Sequence, residues 1–195
     1  VLDSRTAFGK TITSFFKDWD SENLAELYFH SEVPTMDICS RYYRITDTDA
    51  LKSIIKRGNA GRSFDLTQIE PERETSRVDD GVKTKVYSFG RKRTSYIYIA
   101  RNMVWRLSGW YSHKLKEWIK EFNPDVIFFA TGDYAFANNI AYRISKDFDI
   151  PMVTYICDDY YVNRLNPKSF LSKFVYRGLM KSVRRCVSRS SSLIT

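Results

Sequence analysis

The stretch from Phe122 to Tyr161, FNPDVIFFATGDYAFANNIAYRISKDFDIPMVTYICDDYY, constrains the fold of this chain more than any other. Asn123-Pro124-Asp125 stops a helix and launches Val126-Ile127-Phe128-Phe129-Ala130, an apolar run too continuous for a strand with one wet face. Thr131-Gly132-Asp133 turns the chain, after which Phe136, Ile140, Ala141 and Ile144 recur at helical spacing. Pro151 then opens a second strand, Met152 to Ile156, which ends in Cys157-Asp158-Asp159. A helix joining two buried strands makes them parallel neighbours. Open parallel sheets bind ligands beyond the carboxyl ends of their strands, which is where Gly132-Asp133 and Asp158-Asp159 fall.

The rest of the chain supplies the frame. Phe8, Ile12, Phe15, Phe16 and Trp19 form a helical stripe, with Asp3 or Ser4 placed to cap it. Leu24 to His30 and Cys39 to Thr46 read as strands, and Asp47 can cap a helix to about Lys56. The polarity of residues 57–81 predicts a variable charged surface loop, followed by a strand over Val82 to Phe89. Tyr96, Ala100, Met103 and Leu107 predict the core stripe of one helix. Tyr111, Leu115, Trp118, Ile119 and Phe122 do the same for the next. A last helix from about Ser169 to Arg189, with Leu171, Phe174, Val175, Leu179, Val183 and Val187 inward, leads to the strand-like Ser192-Leu193-Ile194-Thr195. The expectation is one Rossmann-like α/β domain over residues 1–195: a mostly parallel sheet with helices on both faces, cut short at both ends.

Composition narrows the function classes. Lys+Arg 31 against Asp+Glu 23 gives a net charge of +8, which favours anionic partners, among them phosphorylated ligands, anionic lipid or nucleic acid. Cys39, Cys157 and Cys186 lie far apart without a CxxC pair, which suggests neither a zinc site nor a disulfide framework and fits a reducing cytoplasm. His30 and His113 have no partner histidine at ligand spacing, so no metal is expected. Cys157 beside two acids is a poor nucleophile. No apolar run reaches the roughly 20 residues that span a bilayer, so any membrane contact is expected to be peripheral.

The order of helix, two strands, charged loop, helices, NPDVIFFATGD, helix, DIPMVTYICDDYY, basic helix and SSLIT resembles the N-terminal half of a GT-B glycosyltransferase of the family 4 type, over most of Asp3 to Thr195. That resemblance implies an acceptor-binding domain of a hexosyltransferase. Its nucleotide-sugar donor would be held by a missing C-terminal domain, and its acceptor would be a saccharide or lipid-linked saccharide. It implies no nicotinamide or other cofactor and no metal. The isolated piece would be inactive, because the cleft that excludes water needs both domains. On this reading Asp158 and Asp159 are the candidate catalytic carboxylates at the second strand exit, orienting a hydroxyl. Gly132, Asp133 and Tyr134 are candidate substrate-binding residues: Gly132 permits a tight turn and close backbone approach, and the helix start at Asp133 offers amides. Ser4 and Arg5 at the first helix are a third candidate, Arg5 for a diphosphate.

Each reading has a plainer rival. Asp158, Asp159 and Asp133 could simply cap turns or helices. The alternation of aromatic and basic residues over 91–106 could stack nucleic-acid bases, but its helical spacing points to a core helix, so nucleic acid is not the expected partner. Lys173, Arg177, Lys181, Arg184, Arg185 and Arg189 form a basic helix that is either a solvated face or a contact with an anionic inner leaflet. Alternatives to the transferase are a non-catalytic Rossmann-like binding module and a nucleic-acid-binding protein.

Overall fold

The computed structural model describes residues 7–31, 34, 38–65, 94–156 and 169–195. The chain divides into two compact units, Val1–Ser88 with Leu107–Phe122, and Phe89–Arg106 with Asn123–Thr195.

In the first unit, α1 spans Ala7–Phe16, and a 3-10 turn at Ser21–Asn23 is capped by Asp20. Strands β1 (Ala25–Tyr28), β2 (Arg41–Arg44) and β3 (Arg62–Asp65) form one sheet, with β1 parallel and β3 antiparallel to the central β2. Helix α2 (Asp47–Lys56) follows β2, and α4 (His113–Phe122) belongs to the same unit. The adjacent residues Tyr42 and Tyr43 are both buried, which in a pleated strand requires cover on both faces. On one face Tyr42 stacks on Phe64 at 5.6 Å and meets Tyr28 edge-on at 6.4 Å. On the other, Tyr43 lies 5.5 Å from Trp118 of α4 and shares a 3.4 Å hydrogen bond with Ser112, whose hydroxyl also accepts from the Leu115 N–H at the start of α4.

Three sequence expectations change here. The loop expected over 57–81 opens with strand β3, launched by Gly61 at φ +90°, where a Cβ would stand 2.6 Å from Ile45 Cγ1 and 2.8 Å from the Arg44 carbonyl. The α2 cap is Thr46, one residue before Asp47, because Thr46 and Asp49 close a reciprocal capping box. In α1, Ile12 is buried but Phe8, Phe15 and nearby Trp19 are exposed, so the expected stripe is only partly inward. The expected strand at Val82 to Phe89 lies outside the described residues.

The second unit contains α3 (Ser95–Leu107, to Arg106), β4 (Ile127–Thr131), α5 (Ala135–Asp147), β5 (Met152–Ile156), α6 (Phe170–Arg189) and β6 (Ser190–Ile194). Its three strands are all parallel, in the order β4-β5-β6, with a bulge in β6 opposite Met152/Val153. The expected pairing of the two apolar strands across one helix is what forms. Both crossover helices pack on the same face of this sheet: Ala141 of α5 and Cys186 of α6 meet Met152, with Ile127 and Phe129 against them. Nearer the start of α5, Ala135 packs on Leu179 and Val183 of α6. Phe128 and Tyr155, rings 6.2 Å apart, lie half-buried on the opposite face. The chain is therefore α/β with two small, mostly parallel sheets.

Helix α3 reverses its expected orientation. Tyr96, Met103 and Leu107 are 71%, 57% and 66% exposed, while Tyr98 and Trp105 are buried. This helix is apolar on both sides, so spacing alone could not choose between them. Trp105 decides it, stacking on Phe136 with ring centroids 4.3 Å apart.

Candidate functional site at the carboxyl end of β4

Thr131 pairs with Ile156, so β4 and β5 end level and the chain leaves both at one edge. The β4 exit is tied into the core by polar groups that sequence reading passed over. The Thr131 hydroxyl donates to Asn138 Oδ1 at 3.0 Å, Asn138 Nδ2 donates to Ser182 Oγ at 3.0 Å, and Ser182 donates to the Leu179 carbonyl at 2.6 Å. Cys186 Sγ also donates to the Asn138 carbonyl at 3.0 Å. Asn138 and Thr131 are buried, and a buried polar group is tolerated only when it is bonded in this way. The signal was present: Asn138-Asn139 are poor helix formers inside a helix that otherwise fits its period.

Beyond Thr131 come the three expected binding residues. Asp133 is buried, and its Oδ2 accepts a 2.5 Å hydrogen bond from the Tyr98 hydroxyl of α3, a short bond of the kind a carboxylate makes with a phenol. The residue at the N-cap of α5 is Tyr134, one later than the helix start expected at Asp133, and its side chain makes no capping bond. Tyr134 is half-buried; its ring lies 5.8 Å from that of Tyr98, and the Arg101 guanidinium sits 4.1 Å above it and 4.8 Å from Phe136. Gly132 does not have a positive φ, and a Cβ there would meet nothing within 4 Å. No left-handed backbone therefore requires glycine there, and the space in front of the backbone is open.

The corner thus combines a carboxylate held by a phenol, an aromatic face carrying a cation, and accessible backbone. The space in front of Gly132 leaves room for a ligand group to approach the backbone at this corner. Asp133, buried, fixes the Tyr98 hydroxyl. Cys186 beneath the site is held neutral, its thiol pushed up to about 12 by burial.

The other candidates are not brought to this corner by anything described: Asp158, Asp159, Ser4 and Arg5 lie outside the described residues. His113 makes an exposed 3.0 Å contact with Glu117 one turn on. Among the described residues no cluster of His, Cys, Asp and Glu is arranged to hold a metal ion. At the exits of β1 and β2 in the first unit, Arg44 Nη1 donates to the Ser31 carbonyl at 3.1 Å and Thr46 and Asp49 close on each other, while the Tyr28 hydroxyl and Arg44 Nε are buried with no hydrogen-bond partner among the described residues. Comparison with protein families, with curated proteins and with solved structures finds no match to this chain.

Proposed function

We propose that this chain is the acceptor-binding half of a glycosyltransferase of GT-B architecture. It would hold a saccharide or lipid-linked saccharide at the carboxyl edge of β4 and β5 while a donor domain supplies the nucleotide sugar. The observation that supports this reading is the β4 exit, where parallel strands end level at Gly132, whose Cβ position is clear of protein atoms, followed by Asp133 bound to Tyr98 and by Tyr134 beneath Arg101. The division of labour follows from the chemistry. The acceptor hydroxyl must be oriented and deprotonated as the sugar transfers, and Asp158 or Asp159, which follow β5 in sequence, are the carboxylates assigned to it.

Two measurements test the proposal. The 195-residue chain should neither hydrolyse nor transfer sugar from any nucleotide sugar, and turnover by it would sink the assignment. With a donor domain joined to it, Asp158→Asn should lower turnover about 10²-fold or more without changing the melting temperature. Unchanged turnover with a lowered melting temperature would make Asp158 a turn cap.

A further inference from the structure

Helix α6 has an outer face unlike the rest of the unit. Its buried residues, Leu179, Ser182, Val183 and Cys186, share one side. The exposed arc carries Phe170, Lys173, Phe174, Arg177, Lys181, Arg184 and Arg185, and the helix contains no acidic residue. Phe170 is 82% and Phe174 62% exposed, so Phe174 leaves the core stripe expected of it and joins the basic face. Among the described residues, none of those five cations makes an ion pair, whereas Arg189 at the far end binds Asp149 at 2.8 Å. A hollow runs along the same surface between Tyr176, Met180 and the side chains of Arg177, Lys181, Arg184 and Arg185.

Position adds meaning to this composition. Leu179 packs against Ala135, the first residue of α5, so it lies level with the β4 exit. Phe170 is nine residues earlier, about 13 Å further along the axis at 1.5 Å per residue. The first turns of α6 therefore overhang the carboxyl edge of the sheet, with two phenylalanines at the tip and cations along the shaft.

We propose that this overhang docks the unit onto an anionic lipid bilayer. Phe170 and Phe174 enter the boundary between headgroups and acyl chains, while Lys173, Arg177, Lys181, Arg184 and Arg185 sit among lipid phosphates. Phenylalanine offers no hydrogen bond, and two such side chains standing in water beside unpaired cations match an interface that is apolar below and anionic above. No described helix is long and apolar enough to cross a membrane, so the attachment is peripheral. Docked this way, α6 lies along the bilayer by its outer face, with the Gly132 corner beside it near the surface. The inference stands apart from the sugar-transfer reading, because its test contains no sugar.

The test is co-sedimentation of the 195-residue chain with phosphatidylcholine vesicles, with and without phosphatidylglycerol. Binding should require the anionic lipid and weaken with salt. Lys173→Gln with Arg177→Gln and Lys181→Gln should lower it on the order of 100-fold, at roughly fivefold per charge. Phe170→Ser with Phe174→Ser should lower it about tenfold, and Phe170→Leu with Phe174→Leu should restore it. All these positions are exposed, so circular dichroism should show the fold unchanged. Equal binding to neutral vesicles, indifference to both sets of substitutions, or nucleic-acid binding without partition to vesicles overturns the proposal.

Discussion

In the first unit the central strand β2 buries Tyr42 and Tyr43 on opposite faces, whereas in the second the central strand β5 buries Met152 and Thr154 on one face and leaves Val153 and Tyr155 half-buried on the other. The polar atoms differ accordingly. Phenol hydroxyls and the Cys39 thiol are enclosed in the first core, and burial pushes their ionisation upward. Small hydroxyls and an amide, Thr131, Asn138 and Ser182, are enclosed in the second. The strand exits differ as well. Those of the first unit enclose polar atoms, the Tyr28 hydroxyl and Arg44 Nε being buried with no partner among the described residues, while β4 runs into Gly132, where a Cβ would meet nothing within 4 Å.

The largest expected effect tests how the second unit is held. Trp105 is buried on Phe136, and Trp105→Ala should cost about 3–5 kcal/mol through lost contact and cavity. Met103 on the exposed side of the same helix should tolerate alanine within about 0.5 kcal/mol. Denaturant titration of the two variants decides between the faces, and a larger loss from Met103→Ala would restore the core stripe read from spacing.

That reversal shows what a sequence conveys. The parallel pairing of Ile127–Thr131 with Met152–Ile156 was legible because a helix between two strands fixes their direction, but Val126 is exposed outside β4 and Ile127 to Ala130 are only half-buried, so the fully covered strand read from the apolar run is not what forms. Strand β2 was read within Cys39 to Thr46, but β3, RSFD, carries charges at its ends and pairs with a strand distant in sequence. β3 in particular was absorbed into a polar loop. The Gly132-Asp133-Tyr134 corner was legible as a place, because strand exits are where turn residues collect. Its wiring was not: Tyr98 and Arg101 come from another helix, and no local period links position 98 to position 133.

A second contrast is alkaline stability. Burial pushes Tyr28 up to about 12 and Cys39 up to about 12, and raises Tyr42 and Tyr43, all in the first unit; in the second, burial pushes Cys186 up to about 12. In the unfolded chain these groups ionise near 9 for the thiols and 10 for the phenols, before their folded counterparts. The unfolded state therefore releases protons first as pH rises. The stability these groups contribute is complete below about pH 9 and is lost toward pH 12, by up to about 1.4 kcal/mol per pH unit for each group. Urea titrations from pH 8 to 11, read by fluorine NMR of labelled tryptophan, should show Trp110 and Trp118 losing stability faster than Trp105. Parallel loss at all three would remove the distinction between the two cores.

The smallest expected effect is the sharpest, because it separates a glycine the fold needs from one it does not. At Gly61 a Cβ would press on Ile45 and the Arg44 carbonyl at positive φ, so Gly61→Ala should cost more than about 1 kcal/mol. At Gly132 a Cβ meets no protein atom within 4 Å, and Gly132→Ala should change stability by less than about 0.5 kcal/mol. If the open backbone is where an acceptor sugar approaches, the same methyl group should weaken saccharide binding, measured by calorimetry on the fused enzyme, roughly tenfold, about 1.4 kcal/mol. Unaltered binding with unaltered stability would mean that nothing comes close to Gly132, and the β4 exit would lose its claim as the acceptor site. A stability loss matching that of Gly61→Ala would show instead that the fold itself requires glycine there.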